Sequence, residues 1–166
     1  MLRLADRIDK FSTAIGRAAA WLVFAVVLVQ FAVVLLRYAF GTGSIWLQES
    51  IVYAHAFAFL LAAAWVLKTG AHVRVDVFYR DARPRTRALI DLLGTIFLLL
   101  PMAALILWVS LPYAARAWAI FERSQETSGL PLVFLLRTAI PVFAALLILQ
   151  GIAEMFRAAD VLRQKR

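Results

Sequence analysis

Four long runs of apolar residues divide the chain into membrane-length segments separated by charged stretches. They cover residues 18–36, 50–67, 92–115 and 130–153. A helix needs about 20 mostly apolar residues to cross the hydrocarbon core, at 1.5 Å of rise per residue. Helices are expected because each helix satisfies its own backbone hydrogen bonds in lipid. The pattern therefore predicts an all-α integral membrane protein with four spans, organised as one domain over residues 1–166.

Before the first run, apolar residues recur at helical spacing. Leu4, Ile8, Phe11 and Ile15 are spaced i, i+4, i+7 and i+11, and the nearby charged residues lie mostly on other faces. This pattern predicts a short amphipathic helix over residues 2–16 that lies in the inner membrane surface. The alternative is a frayed cytoplasmic extension of the first span.

Composition excludes an ordinary soluble domain. Hydrophobic residues make up 64% of the chain and charged residues 17%, and the mean hydropathy is +0.83. Average soluble domains carry roughly 45–50% apolar residues, and a core of this length could not bury the excess. The absence of cysteine excludes disulfides, thiolate catalysis and cysteine metal sites.

The positive charges lie between the apolar runs, so they bear on topology. Four Lys or Arg residues precede the first span, six lie between the second and third spans, and four follow the fourth. The first loop holds one, and the third loop together with the start of the fourth span holds three. The positive-inside rule therefore predicts a multi-pass membrane protein with both termini cytoplasmic. The net charge of +8 is explained by topology and lipid headgroups, without nucleic acid.

Two histidines raise the possibility of a haem site. His55 lies inside the second span and His72 just past its predicted cytoplasmic end, 17 positions later. That separation is about 25 Å along a continuous helix, so the pair cannot ligate one iron. A haem would need a ligand from a partner subunit. The other interpretation of His55 is a polar residue hydrogen-bonded between helices.

Other polar and small residues suggest contacts between helices. Arg37 and Arg137 fall near the outer interface, where we expect them to snorkel or to pair with Glu49, Glu122 or Glu126. Small side chains recur at i, i+4 and i+8 in the second span, which favours close approach of another helix. These are Ala54, Ala58 and Ala62. No metal-ligand spacing, phosphate-binding loop or nucleophile–base arrangement is present, so we expect no enzyme activity and no cofactor.

The order of several short motifs carries a family resemblance. The motifs are Arg37-Tyr38-Ala39-Phe40, Trp46-Leu47-Gln48-Glu49, Phe59-Leu60-Leu61-Ala62-Ala63, His72-Val73-Arg74-Val75-Asp76 and Ser128-Gly129-Leu130-Pro131-Leu132. In their order and in the length and topology of the chain, they resemble the small, Q-type permease subunit of tripartite ATP-independent periplasmic (TRAP) transporters. The resemblance covers nearly the whole chain.

The resemblance implies a fixed scaffold subunit of a sodium-coupled transporter for organic acids. Its partners would be a large multi-span permease, a soluble periplasmic substrate-binding protein and membrane lipids. It also implies that Trp46 and Glu49 help to position a partner at the outer interface. At the inner side, it implies that His72, Arg74 and Asp76 contact the large subunit or anionic headgroups. For both sets the alternative is a local structural role, such as charge compensation at a helix end.

Two other function classes remain open at the level of the residues. One is a b-type cytochrome-like membrane anchor that carries electrons. The other is a self-oligomerising small transporter. An absorbance spectrum distinguishes the first from a scaffold subunit, and co-purification with a large permease distinguishes the second.

Overall fold

The computed structural model describes residues 2–72, 79 and 82–163. Within these ranges the chain is helical and contains no strand. The helices are α1 (Leu2–Ala39), α2 (Ile45–Lys68), α3 (Pro84–Gly94), α4 (Leu100–Ala119) and α5 (Val133–Arg163), and a π-helical turn (Thr95–Leu99) joins α3 directly to α4.

Four helical segments of the described chain are long and apolar enough to cross a membrane, as the sequence predicts. They are α1, α2, the continuous segment Pro84–Ala119 and α5. The fourth begins at Val133, three residues later than the predicted start of its apolar run at Leu130. The reason is local, because the amide of Leu130 donates to the Glu49 side chain, its carbonyl accepts from the amide of Ser124, and Pro131 follows it.

The amphipathic segment 2–16 does not form a separate helix. It is the first part of α1, which continues without a break for 38 residues, or about 57 Å. The side of this segment that packs inward is small and polar, with Ala5, Ser12 and Gly16 buried. Leu4 and Phe11 face outward and are 51% and 52% exposed. The segment is therefore an extension of the first span, and its contact with the membrane surface stays a prediction.

The helices pack around α5, which contacts α1, α2, α3 and α4. Among the described residues α4 contacts no other long helix, and α1 and α2 pack against each other. The accessible surface is 11512 Å², whereas a compact protein of 18.6 kDa has about 8,200 Å². The four helices thus form an open arrangement and leave large apolar faces uncovered.

Most of the fully buried apolar residues in the described chain are alanines. Small side chains let helix backbones approach closely, which is how helices associate where lipid removes the hydrophobic driving force. At one α1–α2 contact even alanine is too large, because a Cβ on Gly16 would lie 2.5 Å from Cγ of Trp65. The bulky side chains are mostly on the outside, as lipid or partner contact requires.

The two ends of the molecule are defined by its hydrogen bonds. The α1–α2 turn and the α4–α5 loop share one end, which we call the outer end, because Glu49 contacts Ser124 and Leu130. Asp9 and Arg157, near the two termini, meet at the opposite or inner end. The structure therefore brings both terminal regions together, and the side of the membrane that they face stays a prediction.

Candidate functional site

The polar side chains of the described residues concentrate at the two ends of the molecule. At the outer end, Glu49 lies in the first turns of α2, whose N-terminus is capped by Ser44 Oγ, 3.4 Å from the amide of Leu47. One Glu49 oxygen accepts a hydrogen bond from the amide of Leu130 at 2.5 Å, and the other accepts from the hydroxyl of Ser124. Glu49 therefore ties α2 to the α4–α5 loop.

This loop leaves no room for a side chain at Gly129. A Cβ there would lie 2.5 Å from Cβ of Ser124 and 2.8 Å from Oε1 of Glu49. The loop is closed further by a backbone hydrogen bond of 3.2 Å from the amide of Ser124 to the carbonyl of Leu130. The Ser-Gly-Leu-Pro motif is thus a tight turn built around the Glu49 carboxylate.

Arg137 forms the second contact of the outer end. Its guanidinium makes an ion pair with Glu122 and lies 4.3 Å from the centroid of the Tyr113 ring. The expected pairing of Arg137 with an outer acid is therefore found, and the partner among the three candidates is Glu122. Together Glu49, Ser124, Leu130, Arg137 and Glu122 form what we call the outer cluster.

An aromatic group beside the outer cluster was not singled out from the sequence. The Trp118 and Phe134 rings have centroids 4.6 Å apart, and Phe121 lies 5.7 Å from Phe134. Trp118 Nε1 donates to Thr138 Oγ1 at 2.7 Å. Phe121 has a φ of 44°, a left-handed conformation that is uncommon outside glycine. The only available signal was the run of aromatic residues flanking a loop.

The inner end holds a larger network, centred on Gln150. This side chain is fully buried, and its amide donates to Asp9 at 3.1 Å and to Glu154 at 3.0 Å. Its carbonyl oxygen accepts from Ser12 Oγ at 2.8 Å. Arg157 completes the set by pairing with Asp9 and, at 2.9 Å, with Glu154. We call these five residues the inner network.

The inner network could be suspected from the sequence only in part. Gln150, Glu154 and Arg157 are spaced i, i+4 and i+7, so they share one face of a helix. Nothing in the sequence places that face against Asp9 and Ser12, which are about 140 positions away. A further contact joins α2 to the same end of α1, where Lys68 Nζ donates to Thr13 Oγ1 at 2.7 Å.

The structure places the remaining predicted site residues separately. Arg37 and Trp46 are exposed near the outer end. Ala58 is buried within the chain, so it packs helices of this protein, whereas Ala54 and Ala62 are half-buried. Arg37 and Trp46 can therefore contact a partner, whereas Ala54 and Ala62 expose only part of their surface to one.

Of the three residues singled out in the predicted inner motif, the structure describes only His72. His72 is exposed, and its Nε2 lies 3.3 Å from the carbonyl oxygen of Ala63. Arg74 and Asp76 lie outside the described residues. In the part of the chain that the structure describes, no three His, Asp or Glu side chains converge as metal ligands.

The chain is similar to known transporter components. A family model described as "Tripartite ATP-independent periplasmic transporters, DctQ component" matches residues 26–161. The C4-dicarboxylate TRAP transporter small permease protein DctQ of Vibrio cholerae serotype O1 is 31% identical over 90 residues. That match covers 54% of this chain and 39% of the relative's own length. No solved structure matches the chain.

Proposed function

Because the chain belongs to the DctQ component family of tripartite ATP-independent periplasmic transporters, we propose that it is the scaffold subunit of a sodium-coupled importer of organic acids. Its partners are a large multi-span permease and a periplasmic substrate-binding protein. The observation that carries this proposal is the family match, which covers residues 26–161 and so includes most of the membrane-spanning part.

The distribution of polar contacts supports a scaffold role. A subunit that stays fixed while its partner moves needs helices that do not slide against each other. The inner network joins α1 to α5, Lys68 joins α2 to α1, and Glu49 joins α2 to the α4–α5 loop. The α1–α5 and α1–α2 pairs are thus held by side-chain hydrogen bonds near the inner end, and α2 is tied to the α4–α5 loop at the outer end.

The open surface supports a role in assembly. Large apolar side chains along α1, the π-helical turn and α4 are exposed, among them Phe31 at 66%, Leu98 at 73% and Trp108 at 78%. In the bacterial inner membrane these faces meet lipid or the large permease. We propose the predicted orientation, with the inner end in the cytoplasm, because it places the basic stretches on the anionic inner leaflet.

The sequence-predicted interface residues divide into two groups. Trp46 is 53% exposed, and we propose that it contacts a partner or the outer interface directly. We propose that Arg37 also contacts a partner at the outer end. At the inner side, we propose that His72, Arg74 and Asp76 contact the large subunit or anionic headgroups. Glu49 and Arg137 act indirectly, since their charged groups are engaged in the outer cluster.

Reconstitution tests the proposed function. We expect proteoliposomes with the large permease, the binding protein and this chain to take up an organic acid under an inward sodium gradient. C4-dicarboxylates are the first substrates to try, because the Vibrio relative bears that name. Vesicles that lack this chain should lose uptake, and a matched potassium gradient should not drive it. Undiminished uptake without this chain would contradict the proposal.

A further inference from the structure

An exposed histidine lies in the middle of a membrane-spanning helix. His55 lies inside the predicted span 50–67 and near the middle of α2 (Ile45–Lys68), and its side chain faces outward. Its ring nitrogens form no hydrogen bond with any described residue. The described residues of this chain supply no partner for the interpretation of His55 as a residue hydrogen-bonded between helices, so that interpretation stays a prediction.

His55 belongs to a continuous open surface. Gln48, Val52, His55 and Phe59 are spaced i, i+4, i+7 and i+11, so they share one helix face, and all four are exposed. Val52 is 58% exposed and Phe59 is 73% exposed. We call these four residues the α2 face. It is about 16 Å long and covers the outer half of α2, whereas residues 60–68 are half-buried or buried against the chain.

The chemistry of the imidazole selects what covers this face. Its ring nitrogens form hydrogen bonds that lipid tails cannot supply. Ionisable side chains inside membranes almost always face protein or a water-filled cavity. Val52 and Phe59 lie on either side of His55 and can pack against the apolar side chains of a neighbouring helix. A membrane helix with one hydrogen-bonding group at the depth of His55 complements all three residues, whereas lipid leaves the imidazole without a partner.

We infer that the α2 face docks the large permease subunit, with His55 hydrogen-bonded to a polar group on one of its membrane helices. The inference rests on the proposed function, which supplies a multi-span partner. It deepens that proposal by assigning the partner to α2 rather than to the exposed apolar face of α4. Polar groups inside a membrane specify how helices pair, so His55 sets the register of the two subunits.

Co-purification from co-expressing cells tests the inference, with this chain tagged and the large permease quantified. Val52→Trp places bulk on the α2 face and should lower permease recovery at least tenfold. Val109→Trp is the matched control, because Val109 is similarly exposed, at 61%, on α4; it should recover the permease at the wild-type level. His55→Leu should lower recovery several-fold, and His55→Asn, which keeps hydrogen-bonding groups, should restore part of it.

Each outcome bears on one of the two proposals. If the wild-type chain recovers no permease, the proposed function fails. If the wild type succeeds and Val52→Trp and His55→Leu match it, the docking inference alone is overturned. Loss with Val109→Trp but not Val52→Trp would move the interface to α4 and also overturn it. A second, differently tagged copy of this chain tests self-association. If the wild type captures that copy and Val52→Trp does not, the α2 face binds another copy of the chain and the inference is refuted.

Discussion

Replacement of Gln150 by leucine should separate the N-terminal part of α1 from α5. Leucine has a similar size but no polar atoms, so the substitution removes three hydrogen bonds, to Ser12, Asp9 and Glu154. The buried position excludes water as a replacement partner for the side chain. The two carboxylates keep Arg157, so neither is left without a counter-charge.

The magnitude follows from the kind of bond that is lost. Hydrogen bonds between membrane helices contribute about 0.6 kcal/mol on average and up to about 1.7. In water-soluble proteins, bonds to charged groups contribute about 1.5–3 kcal/mol. Gln150 lies near the inner end of its predicted span, between these two environments, so we expect a loss of about 2–4 kcal/mol. At about 2–4 °C per kcal/mol for a chain of this size, the apparent melting midpoint should fall by about 4–16 °C.

The assay is thermal unfolding of the isolated chain in detergent, followed by tryptophan fluorescence, together with hydrogen exchange of residues 5–16. Gln48→Leu is the matched control, because it makes the same change at an exposed position; it should shift stability by less than about 0.5 kcal/mol. Ser12→Ala should cost about 1 kcal/mol and should add little to Gln150→Leu, since the two share one bond. If Gln150→Leu has the same melting midpoint as Gln48→Leu and hydrogen exchange in residues 5–16 is unchanged, the proposed role of Gln150 is refuted.

Two further substitutions test the outer cluster and the α1–α2 contact. Glu49→Gln should speed amide exchange around Leu130 by roughly 10- to 100-fold, since bonds to a charged acceptor are worth about 1.5–3 kcal/mol. Glu126→Gln makes the same charge change at an exposed side chain, so equal exchange in the two variants would contradict this role. Gly16→Ala should destabilise the chain by about 1–3 kcal/mol through overpacking, measured by its melting midpoint. Gly43→Ala has open space around its Cβ and should be near neutral; similar midpoints for both would argue against the close contact.

Part of the outer cluster could be anticipated from the sequence. An arginine near the end of an apolar run needs a counter-charge or a route to the interface, and this requirement predicts a pairing of Arg137 with a nearby acid. Glu122 is only 15 positions away, so the connection is short. The bond from the Leu130 amide to the Glu49 carboxylate spans 81 positions. The partners of Glu49 depend on how α2 lies beside the α4–α5 loop. The sequence alone could therefore place Glu49 only approximately, near the outer interface of the membrane.

The N-terminal segment shows what an amphipathic pattern leaves undetermined, namely the neighbour that each side of the helix contacts. An apolar stripe predicts the side of a helix that leaves water, and a membrane surface was the expected destination. The structure packs the small and polar side inward and leaves Leu4 and Phe11 exposed, because Ser12 and Asp9 find partners on α5 and Gly16 admits Trp65. Periodicity distinguishes the two sides of this helix, but it does not predict which neighbour each side meets.

The sequence by itself determined the all-α class, the four spans and the family. These follow from properties that act locally: the length of each apolar run, the cost of unpaired backbone groups in lipid, and motifs read in order. Only the tertiary structure decided that α5 is central, that Gln150 joins both terminal regions, and that His55 faces outward. Those outcomes depend on which face of each helix meets which neighbour. In a membrane the apolar faces are nearly equivalent, so small residues and a few distant hydrogen bonds make that choice.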